Sequence, residues 1–408
     1  MRITYLTQPY PPMVSGAAIV AEQLAEGMAS LGHEVLIIAA SDTGYPYVER
    51  RKNVTVLRMK SFRNPLRVNQ RLMFLQRRAV LKALTDFQPD IIHVHEPVQM
   101  GLVGLKYVSR ARIPITMTTH QLPWFVASYL PNISFLRRWM EKLLWVYSRW
   151  LVEKYTLVIS PTKTISNIIK AKIGIKTKTV NYGIDLQTFK SNPAGQAGDS
   201  LRAKFHIPAG KPILLHTGRL DKDKRVDCVI RAAAQVVHKR DIYLLIAGDG
   251  CEKPALINLC RSLGIEANVR FTGFISDKEE LAGIYKMSSL FVTASEIETQ
   301  GIAILEAAAS GLPIVAVRAT CIPEIVHHGI NGYLTNPGDI DSMNRAIIRI
   351  LGDSARARDM KIKSRAIAEK FKLEITFSRH EKLYKQMINQ KSRQTFASRK
   401  PAKNPLFV

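Results

Sequence analysis

The sequence predicts an α/β protein with two Rossmann-like domains, each built on a parallel sheet. Short apolar segments rich in Ile, Val and Thr alternate with segments of helical pattern along the 408-residue chain. Strands that alternate with helices indicate parallel sheets joined by right-handed crossovers. A segment rich in Gly, Ser, Asn and Pro, residues 181–200, divides the strands into two series. Two series of strands indicate two domains.

The predicted strands comprise a first series of six and a second series of five. The first series is 3–7, 34–40, 54–59, 90–95, 115–120 and 157–162. The second series is 212–218, 243–250, 269–274, 290–295 and 313–318. Open parallel sheets bind ligands beyond the carboxyl ends of their strands, so the residues that follow each strand are the candidates for a functional site.

The chain divides into four predicted parts. Residues 1–183 form the first domain and residues 184–374 form the second. Residues 375–390 are expected to form a helix that crosses back to the first domain. Residues 391–408 are polar and basic, which predicts a disordered tail.

The composition indicates a folded protein of the reducing cytosol. Hydrophobic residues make up 46% of the chain, enough for packed cores. No apolar segment reaches the ~18 residues of a membrane span, and the N-terminal segment lacks the pattern of a signal peptide. The four cysteines have no metal-ligand spacing and are expected to be reduced thiols.

The net charge of +26 is concentrated in the first half and the tail. Residues 1–183 carry 25 basic and 10 acidic residues, a net charge of +15. Residues 184–374 carry 26 and 22, a net charge of +4, and residues 375–408 carry 8 and 1, a net charge of +7. This asymmetry suggests a surface that meets polyanions, either nucleic acid or an anionic membrane.

Two glutamates flank the start of a helix after the strand at 290–295. Glu298 precedes Gly301, which is expected to open a helix that carries Glu306. Free N–H groups and a partial positive charge at a helix N-terminus suit a diphosphate. Glu306 lies about five residues further on, or ~7 Å along the axis, where a carboxylate can accept hydrogen bonds from ribose hydroxyls. Two solvated glutamates beside an ordinary helix are the alternative.

A second loop brings basic residues to the end of a strand. Arg219 and Lys224 lie just beyond one predicted strand, and the turn AGDG (247–250) ends another. A departing nucleoside diphosphate develops negative charge, which fixed cations stabilise. Arg does so through a planar fork and Lys as a point charge. A basic surface loop is the alternative, and it is the preferred interpretation of Lys222 and Arg225.

These segments resemble the donor site of the family-4 retaining glycosyltransferases, whose GT-B fold has two Rossmann-like domains that face each other across a cleft. The segments are GRLDKDK, AGDG and ETQGIAILEAAASGLPIVA, in the family's order and spacing. The first half agrees through PPMVSGAAIVAEQLAEGMASLGHEV, DIIHVHEP and TTHQLP. One departure is Tyr182, which stands where the family has Asn; it affects the interdomain linker and leaves the donor-site assignment intact.

The resemblance implies roles for individual residues. Gly16 lets the first loop approach the donor phosphate, and His120 faces the sugar across the cleft. Arg219 and Lys224 bind the diphosphate, and Glu298 orients the sugar. The remaining donor-binding residues are Gly301, Ile302 and Glu306 at the phosphate and ribose, the backbone around Ile275 at the base, and Gly248 in the AGDG turn.

The predicted reaction moves a hexose from a nucleotide-diphosphate sugar with retention at the anomeric carbon. No cofactor and no metal are expected, because no Asp-x-Asp metal motif follows a strand. The acceptor attacks from the face of the departing group, and the leaving phosphate takes its proton. Glu298 is either a contact to the sugar hydroxyls, which is favoured, or a nucleophile. His120 is expected to position the sugar, and the alternative is that it is a buried structural histidine. His93 and His95 are interpreted as structural residues. For His95, a position in the acceptor cleft is the less favoured alternative.

Two basic segments of the first half predict a membrane surface. Residues 60–82 hold seven basic residues and no acid, and several follow helical spacing. Residues 133–155 place Trp among Arg and Lys beside an apolar stripe, which is typical of a membrane interface. A core-packing helix with a solvated basic face is the alternative. The residues singled out for the membrane or the acceptor are Arg67, Arg71, Arg78, Trp139 and Trp145.

The motif ETQG adds an indication of the acceptor. Gln300 makes the chain similar to the diacylglycerol glucosyltransferases of the family, whereas other branches carry Phe or Leu. We therefore expect a UDP-glucose type of donor, a lipid acceptor such as diacylglycerol, and a peripheral position on the inner face of the membrane. A GDP-mannose-dependent enzyme acting on phosphatidylinositol or an oligosaccharide is an alternative, and a sugar-nucleotide epimerase is a rival of another class. No nucleic-acid partner is expected, because no such binding motif is evident.

Overall fold

The computed structural model describes residues 1–13, 15–64, 71–73, 76–123, 134–190 and 195–397. The chain forms two compact units. Unit 1 contains residues 1–161, 166–180 and the segment from 374 onward, and unit 2 contains residues 162–165 and 181–373. Within the described part of the chain, no helix combines the length and the apolar character needed to cross a membrane.

Unit 1 is built on an eight-stranded sheet that is parallel except at one edge. The strands of this unit are β1 (Arg2–Leu6), β2 (Glu34–Ala40), β3 (Tyr47–Arg51), β4 (Val54–Met59), β5 (Ser61–Arg63), β6 (Arg71–Met73), β7 (Ile91–Val94), β8 (Ile115–Thr118), β9 (Leu157–Ser160) and β10 (Lys178–Thr179). The sheet order is β10-β9-β8-β7-β1-β2-β4-β3, and only β3 runs antiparallel to its neighbour. β5 and β6 form a separate antiparallel pair.

Helices cover both faces of this sheet, because each carries an apolar stripe at helical spacing. They are α1 (Gly16–Ser30), α2 (Arg77–Phe87), α3 (Gln99–Ala111), α4 (Ser134–Val152) and α5 (Lys163–Ile173). One hydrophobic cluster contains Leu84 of α2, Met100 of α3 and Leu151 of α4. A second cluster contains Leu24 and Met28 of α1.

Unit 2 is built on a six-stranded, wholly parallel sheet. Its strands are β11 (Ile213–Thr217), β12 (Tyr243–Ala247), β13 (Val269–Gly273), β14 (Leu290–Thr293), β15 (Ile314–Val317) and β16 (Gly332–Thr335), in the order β13-β12-β11-β14-β15-β16. Its helices are α6 (Leu186–Lys190), α7 (Gly195–Lys204), α8 (Val226–Val237), α9 (Lys253–Ser262), α10 (Lys278–Met287), α11 (Ile302–Ala309), α12 (Ile340–Leu351) and α13 (Ser354–Ala368). The described strands and helices of this unit share one hydrophobic core.

The C-terminal helix α14 (Leu373–Ala397) packs on α1 and β1 of unit 1. Gly27 of α1 leaves room for the Phe377 ring, because a Cβ atom at this position would lie 2.4 Å from that ring. The hydroxyls of Tyr384 and Tyr5 lie 3.2 Å apart. α14 continues as far as Ala397, into the segment predicted to be a disordered tail, and residues 398–408 lie outside the described part of the chain.

The helix expected within residues 60–82 is wrong over its first part. β5 and β6 pair as antiparallel strands there, and α2 begins only at Arg77. Arg71 holds the strand pair, since its Nε donates to Ser61 Oγ at 2.8 Å and its Nη2 to the Ser61 carbonyl at 3.2 Å. Arg71 is therefore engaged in the fold and does not belong to a free basic face. Arg67 lies outside the described residues, whereas Arg78 is exposed on α2.

Candidate active site

The candidate donor site lies where the sheet of unit 2 reverses its strand order. β11 and β14 are neighbours in the sheet, although β12 and β13 lie between them in the chain. The loop after β11 carries Arg219 and Lys224, and the loop after β14 carries Glu298. Parallel strands bring both loops to the same edge of the sheet, which is where open α/β sheets bind ligands.

Lys224 and Glu298, predicted from separate motifs, form an ion pair. Lys224 Nζ lies 2.6 Å from Glu298 Oε1 and 3.4 Å from the Ser295 hydroxyl. Both side chains are mostly buried. The backbone N–H of Glu298 donates to Thr320 Oγ1 at 3.2 Å, which holds the loop from its other side. The two residues therefore occupy one spot, where a cation and a carboxylate can act on the same ligand.

Asp223 connects the two predicted cations, a role that was not predicted from the sequence. Its carboxylate is 4% exposed and lies 3.6 Å from Arg219 Nη2 and 3.8 Å from Lys224 Nζ. Asp221 also forms an ion pair with Arg219. Neither oxygen of Asp223 makes a hydrogen bond within the described residues. Asp223 thus holds both cations close together by charge alone.

Arg225 is a half-exposed surface residue, as expected, and it also links the two loops. Its Nη1 lies 3.2 Å from Oε1 of Glu296, which belongs to the loop after β14. Its backbone has a φ of 46°, in the left-handed region, directly before α8. The neighbouring Lys222 is exposed, as expected.

Gly301 opens the helix that carries Glu306, as predicted. It is the N-cap of α11 with a φ of 82°, a conformation that glycine adopts without a steric penalty. Ile302 is the first residue of the helix. The predicted phosphate-binding residues therefore lie at a helix N-terminus.

The AGDG turn contacts the loop after β11 through its backbone. A Cβ atom at Gly248 would lie 1.8 Å from the carbonyl oxygen of Gly218, and the φ of Gly248 is 156°. The N–H of Gly218 donates to the Ala247 carbonyl at 3.0 Å. Glycine at position 248 is therefore required for the close approach of the two turns.

Glu306 is held by a buried tyrosine. The Tyr285 hydroxyl donates to Glu306 Oε2 at 2.7 Å and lies 2.5 Å from Thr217 Oγ1. Desolvation of the carboxyl group raises the pKa of Glu306 to about 7, although Tyr285 and Lys278 act to lower it. Neither Tyr285 nor Thr217 was singled out in the sequence, because both resemble ordinary core residues.

Gln300 contacts the main chain at Tyr182, near the start of the segment 181–373 of unit 2. The sequence had singled out Tyr182 separately, as a departure from the family. Its Oε1 accepts from the backbone N–H of Tyr182 at 2.6 Å, and its side chain is fully buried. Its Nε2 has no hydrogen-bond partner within the described residues. The ETQG motif is therefore tied to the route of the main chain in unit 2.

In unit 1, His120 forms a pair with His95. Nε2 of His120 lies 2.7 Å from Nδ1 of His95, and the two rings stack with centroids 4.9 Å apart. Burial among protein atoms lowers the pKa of His120 to about 3 and that of His95 well below its usual value. His93 faces Tyr384 and Thr118 instead, at 2.5 Å and 2.8 Å, in keeping with its structural interpretation.

The remaining predicted donor residues lie at the starts and ends of elements. Gly16 begins α1 and is exposed. The loop before it is held by the buried Arg58, whose Nη2 donates to the Pro11 carbonyl at 2.5 Å. Ile275 follows β13 and packs against the core of unit 2. Arg58 is a further supporting residue that the sequence did not indicate.

α4 presents an apolar face to solvent. Five of its large apolar side chains, at i, i+4, i+8, i+11 and i+15, are 43–77% exposed, and Arg138, Lys142 and Arg149 on the same helix are exposed too. Trp145 is 8% exposed and its Nε1 donates to Glu141 at 3.3 Å, so its assignment to the membrane surface is wrong. The residues of the apolar face, called the α4 stripe below, are Phe135, Trp139, Leu143, Val146 and Trp150.

Two family models match the chain, one in each half. The model described as Glycosyltransferase Family 4 matches residues 14–188, and the model described as Glycosyl transferases group 1 matches residues 198–367. The second match contains Arg219, Lys224, Glu298 and Glu306.

Relatives and a solved structure agree with this assignment. N-acetyl-alpha-D-glucosaminyl L-malate synthase of Bacillus anthracis is 28% identical over 91% of this chain and 94% of its own length. Alpha-monoglucosyldiacylglycerol synthase of Streptococcus pneumoniae is 30% identical over 82% of this chain and 73% of its own. Anabaena HepE, solved in complex with UDP-glucose, superposes with a TM-score of 0.75 at 20% identity, covering 95% of this chain and all of that one.

The similarity to the solved structure identifies the fold as GT-B, with two parallel-sheet α/β domains. The alternative prediction of a sugar-nucleotide epimerase is wrong, because the members of this family are sugar transferases. The chain belongs to the group 1 glycosyltransferases of family 4 and is a glycosyltransferase.

Proposed function

We propose that this enzyme transfers a hexose, with UDP-glucose as the favoured donor, to a membrane lipid such as diacylglycerol, with retention of the anomeric configuration. The observation that carries the donor assignment is the placement of Arg219, Lys224 and Glu298 beside the N-terminus of α11. This arrangement has two fixed cations and a helix end for the diphosphate and a carboxylate for the sugar hydroxyls.

The same arrangement supports a reaction without a metal. Arg219 and Lys224 are held close together by Asp223, so their charges need no rearrangement when the diphosphate departs. The leaving phosphate accepts the proton of the acceptor hydroxyl on the face from which it departs. Glu298 contacts the sugar, and its ion pair with Lys224 fixes the orientation of its side chain.

Retention is supported by the products for which the two relatives are named. Both names specify an α-linked sugar. An α-linked donor gives an α-linked product only when the configuration is kept. NMR of the product from an α-linked donor tests this point, and a β-glycoside would overturn it.

The α4 stripe supports a lipid acceptor. Exposed aromatic and aliphatic side chains next to Arg and Lys suit the boundary between headgroups and acyl chains. Each basic residue near an anionic surface adds about 1 kcal/mol of attraction. This surface gives the enzyme a peripheral position on the membrane that holds its acceptor. The diacylglycerol acceptor of the pneumococcal relative is consistent with it.

One panel of assays tests donor and acceptor together. UDP-glucose, GDP-mannose and ADP-glucose are each offered with diacylglycerol in anionic vesicles, with phosphatidylinositol vesicles and with L-malate. We expect glucosyl transfer from UDP-glucose to diacylglycerol. Transfer to malate alone would overturn the lipid acceptor, because the Bacillus relative is named for that small acid. Transfer from GDP-mannose alone would overturn the UDP-glucose assignment.

A further inference from the structure

We infer that Tyr285 is the positioning residue that orients Glu306 toward the ribose of the nucleotide, and that Thr217 in turn orients Tyr285. This inference deepens the proposed function and rests on it, because it needs a nucleotide at the N-terminal end of α11. It assigns a role in donor binding to two residues that would otherwise count as core.

The geometry fixes the phenol of Tyr285 between two elements. Tyr285 lies on α10 and is fully buried. Its hydroxyl is 2.7 Å from Glu306 Oε2 on α11 and 2.5 Å from Oγ1 of Thr217, the last residue of β11. The rings of Phe189 and Phe291 lie 5.6 Å and 6.0 Å from the Tyr285 ring by centroid distance, so the ring has little freedom to turn.

Counting protons sets the direction of the hydrogen bonds. An ionised carboxylate only accepts, so the single phenol proton of Tyr285 points to α11, where Glu306 Oε2 lies at 2.7 Å and the Ala303 carbonyl oxygen lies at 3.2 Å. Thr217 must then donate its own proton to the Tyr285 oxygen. Oε2 of Glu306 is thereby committed to Tyr285, and Oε1 is the oxygen presented to ribose hydroxyls. Thr217 directly precedes Gly218 and Arg219, so the same series of bonds connects the phosphate loop with the ribose carboxylate.

The charge state of Glu306 depends on this geometry. The groups that act on its ionisation are Tyr285 and Lys278, both on α10, and both favour the carboxylate against the effect of burial, which raises the pKa to about 7. Loss of the Tyr285 donor removes one of these two effects, so the pKa of Glu306 rises further. Binding through the carboxylate is lost as the pH falls through that pKa, so the loss begins at a higher pH in such a variant.

The test is calorimetric binding of UDP, 2′-deoxy-UDP and 3′-deoxy-UDP to the whole enzyme. Wild type should bind UDP about tenfold or more tightly than the deoxy analogue that lacks the hydroxyl held by Glu306. Tyr285→Phe should weaken UDP about tenfold, bind the three ligands almost equally, and lose affinity at a higher pH. Unchanged discrimination in Tyr285→Phe would overturn the role of Tyr285.

Thr217 offers a matched pair of variants that keeps both Tyr285 and Glu306 in place. Thr217→Ser keeps the hydroxyl and should bind like wild type, whereas Thr217→Val keeps the shape, lacks the donor and should lose part of the ribose discrimination. If Tyr285→Phe does not fold, the two Thr217 variants still test the inference. Equal discrimination between UDP and its deoxy analogues in Thr217→Ser and Thr217→Val would overturn it. A wild-type enzyme that binds neither UDP nor GDP nor ADP would overturn the proposed function, and this inference with it.

Discussion

Nδ1 of His95 lies 2.7 Å from Nε2 of His120, so one hydrogen bond joins these two imidazoles. Burial lowers the pKa of both rings, and the pair is therefore neutral at physiological pH. Nε2 of His95 is buried and has no partner within the described residues. A buried nitrogen without a partner is less costly as an acceptor than as an N–H donor, so Nε2 of His95 carries no proton. The proton of His95 therefore lies on Nδ1, which donates to Nε2 of His120. His120 then carries its own proton on Nδ1.

Replacing His95 should disturb His120 without touching the donor site of unit 2. We expect His95→Leu to lower kcat by about tenfold or more, because a displaced side chain loses its productive geometry. His95→Gln retains a hydrogen-bonding group and should keep more activity. The ¹⁵N shifts of His120 report its tautomer and should change in His95→Leu; wild-type shifts and kcat in that variant would contradict the pairing.

Removing either cation of the donor site should lower turnover by several orders of magnitude, because fixed charge at a leaving group is a large catalytic effect. The variants are Arg219→Ala and Lys224→Ala, measured by kcat and by thermal unfolding. Lys222→Ala is the matched control, since Lys222 is an exposed cation in the same loop. Equal rates in Lys222→Ala and Lys224→Ala would remove Lys224 from the site.

Activity should persist in excess chelator. Arg219, Lys224 and the N-terminus of α11 supply the charge stabilisation that a divalent ion would otherwise give. The measurement is the rate of sugar transfer after dialysis against EDTA, with and without added magnesium or manganese. Loss of activity that only a metal restores would contradict this prediction.

Binding to anionic vesicles should depend on α4. Arg138→Gln, Lys142→Gln and Arg149→Gln together should weaken binding about a hundredfold at low salt, at about 1 kcal/mol for each residue. Replacing Trp139 and Trp150 with Ser should remove the part of binding that resists salt. Donor hydrolysis should be unaffected in both variants, and vesicle sedimentation together with lipid glycosylation measures the effect.

A matched set of substitutions on α2 tests whether vesicle binding depends on the position of the basic residues or only on the total charge. Arg77→Gln, Arg78→Gln and Lys82→Gln remove the same charge from an exposed helix of the same unit. We expect a smaller loss of binding there, because α2 lacks the exposed aromatic face of α4. Equal losses would show that charge alone attracts the enzyme to the surface.

The strands of both sheets could be predicted because buried parallel strands are mostly apolar. All eleven predicted strands exist, and β3, β5, β6, β10 and β16 were missed because they are short or lie at edges. The basic spacing that suggested a helix at residues 60–82 failed for a different reason. Solvent-facing charge follows no single secondary structure, and Arg71 forms tertiary hydrogen bonds that no local pattern encodes.

The predicted donor residues came from motifs local in the chain, and the pairing of Lys224 with Glu298 follows from the adjacency of β11 and β14. Asp223 and Tyr285, which the sequence did not reveal, act through contacts with other side chains. Asp223 lies beside its partners in the chain, but its burial is set by the fold of the loop. The role of Tyr285 arises only where α10, α11 and β11 meet. The contact of His95, a lesser candidate in the sequence, with His120 likewise arises only where the ends of β7 and β8 meet.

The hydrogen bond from Tyr182 to Gln300 bears on how chains of this kind should be grouped. Gln300 accepts from a main-chain N–H, which every residue except proline would provide at position 182. A Leu or Phe at position 300 leaves that buried donor without its acceptor unless the backbone takes another course, at a cost of about 1–3 kcal/mol. The glutamine is thus coupled to the path of the polypeptide at Tyr182, within unit 2. Sorting uncharacterised sequences by this residue would therefore group them by the backbone path of unit 2 at this position.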